Sequence, residues 1–148
     1  MKETSKRITN VTSYRVIYGD TDQMGMVYYA NYLRWFEKGR SELLRQMGAA
    51  YSSIEERGAH FPVTDVSCRY FMSARYDDLV MIETQLAAVA RATLSFSYRI
   101  LRGADNSVLA VGSTRHACVN SHGRVIRIPA DLQKLLAAAV STPDPRSA

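Results

Sequence analysis

The stretch YGDTDQMGMVYYANYLRWFEKGRSELLRQM, Tyr18 to Met47, constrains this chain more than any other, because a turn rich in acids and glycine runs straight into one long helix. Two carboxylates, Asp20 and Asp22, sit in that turn. Gly25 follows them, and the aromatic pair Tyr28 and Tyr29 leads into Asn31. Such a turn sets an ionised side chain beside the backbone N–H groups of a helix start, an arrangement suited to attack on a carbonyl. Asn31 reads as the helix N-cap, and Tyr32, Phe36, Gly39, Leu43 and Met47 recur at spacings of three and four. Leu33, Trp35 and Leu44 widen that stripe, so the helix is expected to be more buried than an ordinary surface helix. Gly48 supplies the stop. Gly39 costs about 1 kcal/mol relative to alanine within a helix, and close approach of another backbone is the expected reason for it.

The segments around this helix read as its wrapping. Residues 1–10 are polar and are expected to fray, as is the tail 141–148. VTSYRVIY, residues 11–18, reads as a strand that delivers the acidic turn. A short second helix is expected from Ser52 or Ser53 to Gly58. Four strand-like runs follow: FPVTDVSCRYFM, VMIETQLAAVAR, TLSFSYRILRG and SVLAVGSTRHACVN, broken by turn residues near Asp77, Arg91, Asp105 and Gly123. Short connections between consecutive strands favour an antiparallel meander. Strands of this length span roughly 33 Å and the long helix roughly 25 Å, so one curved sheet can wrap one helix. Pro129 opens a terminal amphipathic helix.

A chain of 148 residues suits one domain, 1–148, and a 47% hydrophobic content supplies a core for it. No apolar run approaches the roughly 20 residues of a membrane span, and MKETSKRITN does not resemble a signal peptide, so the expected location is cytoplasmic. Cys68 and Cys118 lie in strand-like runs without metal-ligand spacing and read as buried free thiols. His60, His116 and His122 are scattered, with no metal or triad signature. A net charge of +5 and a pI near 9.4 point to an anionic partner without choosing it. Nucleic-acid binding rests on that charge alone.

The first stretch resembles the hotdog-fold acyl-CoA thioesterases of the 4-hydroxybenzoyl-CoA thioesterase type, and SARYDDLVMIET resembles that family's second signature. The resemblance covers residues from about Val11 to Val119 and extends to the Tol-Pal-associated bacterial thioesterases. It implies an α+β hotdog fold, an antiparallel sheet wrapped round a central helix. It also implies a homodimer or homotetramer with sites at the subunit interface, and hydrolysis of an acyl thioester. It puts the catalytic carboxylate on Asp22 and the carbonyl-polarising backbone N–H on Tyr29. Two departures are visible. Tyr29 occupies a position where the Tol-Pal-associated relatives commonly carry histidine, and Ser73 stands where proline is usual.

Asp22 could activate water as a general base or attack the thioester directly, since carboxylates ionise well below neutrality. Its bland reading is a turn-capping aspartate. Asp20 reads as the residue that shapes the turn through local N–H bonds, and Gly25 as a turn glycine that also admits substrate. Asn31 caps the helix or orients Asp22. Glu37 reads as a partner of Arg34 or Arg40 rather than as a rival base. CoA is part of the substrate, so no cofactor is expected, but its phosphates require cations. Arg91 is the first candidate, with Arg75 and Arg69 behind it. Tyr28 belongs to an aromatic cluster with Tyr29, Tyr32, Trp35 and Phe36 that lines an acyl pocket or fills the core and a dimer contact. The expected partner is an acyl-CoA, with acyl carrier protein as a second source of the same thioester. The rival function is a non-catalytic acyl-CoA or acyl-carrier-protein binding module on the same fold.

Overall fold

A computed structural model describes residues 8–140. The expected tail 141–148 and residues 1–7 of the expected tail 1–10 lie outside the described residues, whereas Thr9 and Asn10, expected to fray, belong to the first strand. The elements run β1 (Thr9–Arg15), α1 (Asn31–Gln46), α2 (Tyr51–Glu56), β2 (Val63–Tyr70), β3 (Leu79–Val89), β4 (Thr93–Arg102), β5 (Val108–Ala117) and α3 (Ala130–Ala137). The first strand starts two residues earlier than its sequence pattern suggests, because Asn10 pairs with Thr84 of β3 and its side chain bonds Gln46 at 2.8 Å. It also ends earlier, and Tyr18–Asp20 forms a short 3-10 turn.

The five strands form one antiparallel sheet in the order β1-β3-β4-β5-β2. Only β3, β4 and β5 make the expected meander. β2 instead crosses to the far edge and pairs with β5, Cys68 opposite Gly112. This pairing places β2 at one edge and β1 at the other, with the unpaired backbone of each facing outward.

The inward face explains why one helix fits. Val80, Ile82, Thr84 and Leu86 of β3 and Leu94, Phe96, Tyr98 and Ile100 of β4 are all buried, alternating as a half-covered strand must. α1 lies across them with Tyr32, Trp35, Phe36, Leu43 and Leu44 buried. Phe36 stacks on Tyr98 with centroids 4.2 Å apart. A Cβ on Gly39 would collide with Thr84 Oγ1 and come within 2.8 Å of Ile82 Cγ2. The close approach is therefore to β3 side chains, not to a second backbone, and Gly39 seats α1 within its own chain.

Gly48 ends the α1 segment in the left-handed region at φ 80°. α2 begins at Tyr51 rather than at a capping serine, and Pro129 stands one residue before α3 rather than within it. Cys118 is buried and Cys68 half-buried, both as free thiols.

Candidate active site

The acidic turn is a small self-closed loop. Thr21 bridges Val27, the Asp22 N–H donates to the Met26 carbonyl at 2.8 Å, and the Gly25 N–H returns to the Asp22 carbonyl at 3.1 Å. Gly25 takes φ 80°, a conformation glycine adopts without the Cβ clash of other residues. Asp22 is exposed at the rim of this loop. Its Oδ1 accepts the Met24 N–H at 2.8 Å and the Met26 N–H at 3.3 Å. Among the described residues its Oδ2 accepts no donor. One carboxylate oxygen thus anchors the turn while the other is left to solvent or substrate.

Asp20 does the structural work expected of it, with partners beyond its own loop. It is 4% exposed, and its Oδ2 accepts Tyr14 OH at 2.7 Å and the Ile17 N–H at 3.0 Å. Burial and the bond to Asp20 raise the Tyr14 hydroxyl above the usual phenol range, so it remains a donor. The Asp20 carbonyl accepts the Tyr28 N–H and Asn31 Nδ2, both at 2.8 Å. Asn31 therefore neither caps α1 nor touches Asp22. Ala30 occupies the N-cap without a side-chain bond, and Asn31 ties the helix start back to the turn.

Tyr29 sits at that helix start with its ring exposed. Among the described residues its backbone N–H has no protein acceptor, while its carbonyl accepts Tyr70 OH at 2.9 Å. Burial first, and Cys68 second, hold the Tyr70 hydroxyl well above the usual phenol range, which keeps it a donor. Tyr29 immediately precedes the Ala30 N-cap, and an open N–H just ahead of a helix is a ready site for developing negative charge. Tyr28 lies beside it, ring centroids 4.7 Å apart.

The second signature packs directly against this loop. Val27 N–H donates to the Ala74 carbonyl at 2.9 Å, Met26 bridges Arg75, and the Ala74 N–H donates to Tyr32 OH at 2.9 Å. Arg102 fastens the segment, reaching the Ser73 carbonyl at 3.0 Å and Asp78 Oδ2 at 3.3 Å. The contact at Ser73 uses its carbonyl, which proline also possesses, so this departure leaves the fastening intact. Arg75 is exposed beside the turn. Arg91 is not near it: it lies past the far end of β3, roughly 33 Å away along the strand, where its carbonyl accepts the Ile128 N–H. Arg69 stands on β2 opposite Val111.

Glu37 lies 3.9 Å from Arg40, as its spacing suggests, and not in the acidic turn. Arg40 itself is buried, a placement that its charge conceals although its position four residues after Phe36 continues the apolar stripe. Beneath it lie Tyr98, Thr114 and His116, joined by bonds of 2.5 and 2.9 Å. Burial lowers the His116 pKa, Arg40 adds to that effect, and the Phe61 carbonyl opposes it. His122 is exposed, and His60 makes a backbone bridge to Val119.

The Thioesterase-like superfamily matches residues 16–136. The acyl-CoA thioesterase YbgC of Haemophilus influenzae is 37% identical over 107 residues, covering 72% of this chain and 77% of that protein. The crystal structure of a hypothetical protein from Thermus thermophilus superposes with TM-score 0.83 at 35% identity, covering 89% of this chain and 98% of that one. That of a DHNA-CoA thioesterase from Staphylococcus aureus also gives 0.83, at 27% identity, covering 87% of this chain and 89% of that one. A sheet wrapped on one central helix, a matched span that takes in both signatures, and relatives of this similarity lead to one conclusion: the chain belongs to the thioesterase-like superfamily, with the hotdog fold of the 4-hydroxybenzoyl-CoA thioesterase type.

Proposed function

We propose that this protein hydrolyses acyl-CoA thioesters to a free acid and CoA, with Asp22 supplying the attack and the Tyr29 N–H receiving the oxyanion. The observation that carries this reading is a division of labour over one short segment: a carboxylate with one oxygen anchored and, among the described residues, no donor on the other, followed seven residues later by an N–H at a helix start that has no acceptor among them. The relatives named as acyl-CoA and DHNA-CoA thioesterases support the substrate class. General-base attack by water and direct attack to give an anhydride both begin from the free Oδ2. Arg75, exposed beside the turn, would meet CoA phosphates from the same chain, and Arg91, a strand's length away, would reach them only from another copy.

A thiol-release screen across short, long and aromatic acyl-CoAs tests the reaction. Many equivalents of free thiol per chain are expected from at least one substrate, and tight binding without thiol release would assign the fold to a binding module instead.

The expected dimer is supported by β2, whose outer edge is unpaired among the described residues, a feature that favours backbone pairing with the β2 of a second copy. Sedimentation velocity is expected to show a dimer or a multiple of it, and a single monomeric species would contradict this pairing.

A further inference from the structure

α1 and the edge strand β2 leave a gap between them. It is a cavity of about 330 Å³ whose walls include Leu33, Phe36 and Arg40 of α1, Val63 and Val66 of β2, and Thr114 of β5. Its lip is open and largely apolar, with Leu33 37%, Val63 45% and Val66 49% exposed, and Arg34 and Glu37 add charge along the α1 side. Its inner end is different in kind. Arg40 is 8% exposed, and among the described residues its Nε has no hydrogen-bond partner. Nη1 reaches Tyr98 OH only at 3.5 Å, the Tyr51 hydroxyl also bonds the guanidinium, and Nη2 lies 3.9 Å from a Glu37 carboxylate whose side chain is 73% exposed. The Tyr98 hydroxyl is already engaged with Thr114 at 2.5 Å, and Thr114 with His116 at 2.9 Å.

A guanidinium offers five donors in a planar fork, and burying its charge without full pairing is costly. A group that enters the cavity with a carboxylate would complete this pairing, and the fork matches a carboxylate bidentately. The apolar walls leave room for methylenes between lip and cation. The cavity begins at Leu33, one helical turn beyond Tyr29, and Arg40 lies about 16 Å from Tyr29 along the helix axis. We propose that the acyl group lies in this groove and that Arg40 pairs with a carboxylate at its far end, so that CoA thioesters of medium-chain dicarboxylic acids are preferred substrates. This rests on the thioesterase reading given above.

The test compares thiol release from dodecanoyl-CoA and dodecanedioyl-CoA, with butyryl-CoA as a short reference, by the full chain. Wild type is expected to favour the dicarboxylic thioester by about tenfold in kcat/KM, and Arg40→Met to bring that ratio close to one. Val66→Trp, a change at an exposed position, is expected to lower both long substrates relative to butyryl-CoA, and it decides the matter if the Arg40 variant fails to fold. A wild-type ratio near one, a ratio that survives Arg40→Met, or an unchanged chain-length preference in Val66→Trp overturns the assignment. So does a change of assembly state on sedimentation with substrate preference intact, which would make the groove a subunit contact. Absence of thiol release from every acyl-CoA overturns the parent reading and this one together, whereas turnover without the preference overturns this one alone.

Discussion

Asp22→Asn is expected to lower kcat for acyl-CoA hydrolysis by roughly 10²- to 10⁴-fold, the range for losing a positioned general base. The fold should survive. Asparagine keeps an Oδ1 that can accept the Met24 and Met26 N–H groups, so the loop retains the two bonds that define it. What it loses is the charge and basicity of the second oxygen, which has no partner among the described residues to compensate. Because the Asp22 side chain is exposed and bonds only within its own turn, thermal melting should move little, while steady-state thiol release should fall. A large drop in melting temperature would instead mark Asp22 as a turn former. The Tyr29 N–H resists the same treatment, since any side chain at that position leaves the donor in place.

Gly112→Ala is expected to cost about 3 kcal/mol of stability, the upper end of the usual penalty for forcing an extra methyl into a packed interior. A Cβ there would lie 2.5 Å from Phe36 Cζ and 2.5 Å from the Ser67 carbonyl oxygen. The ring is stacked on Tyr98 and the carbonyl belongs to the neighbouring strand, so neither yields easily. The strain falls where α1, β5 and β2 meet, the region that builds the groove and the open edge. Urea unfolding with an unchanged slope and a lowered midpoint would register it, and a midpoint equal to wild type would show that β2 is free to shift.

Much of this was readable from local sequence. The α1 stripe, the Gly48 stop and the acidic turn each depend on residues within a few positions of one another, and spacing reports such features well. The resemblance carried by the same residues supplied the hotdog arrangement. The failures were all of longer reach. Nothing local tells β2 to cross to β5 instead of pairing with β3, because its alternation serves either neighbour. Asn31 has the chemistry of an N-cap, but an acceptor eleven residues earlier, the Asp20 carbonyl, competes for its amide. Gly39 signalled a close approach correctly, and only the sheet register could name Thr84 as the group approached. Arg40 was hidden by its charge, and its place in the stripe was the one sign of burial. Arg91 ranked ahead of Arg75 as a cation in a tight turn, yet a whole strand separates it from the acidic loop that Arg75 adjoins.

The most direct test counts free thiol released per chain by wild type and by Asp22→Asn, with acyl-CoA in excess and binding followed on the same samples. Many turnovers by wild type, near-complete loss in the variant and matched binding by both are the predicted result. Equal thiol release by the two proteins would contradict the assignment of Asp22 as the attacking group.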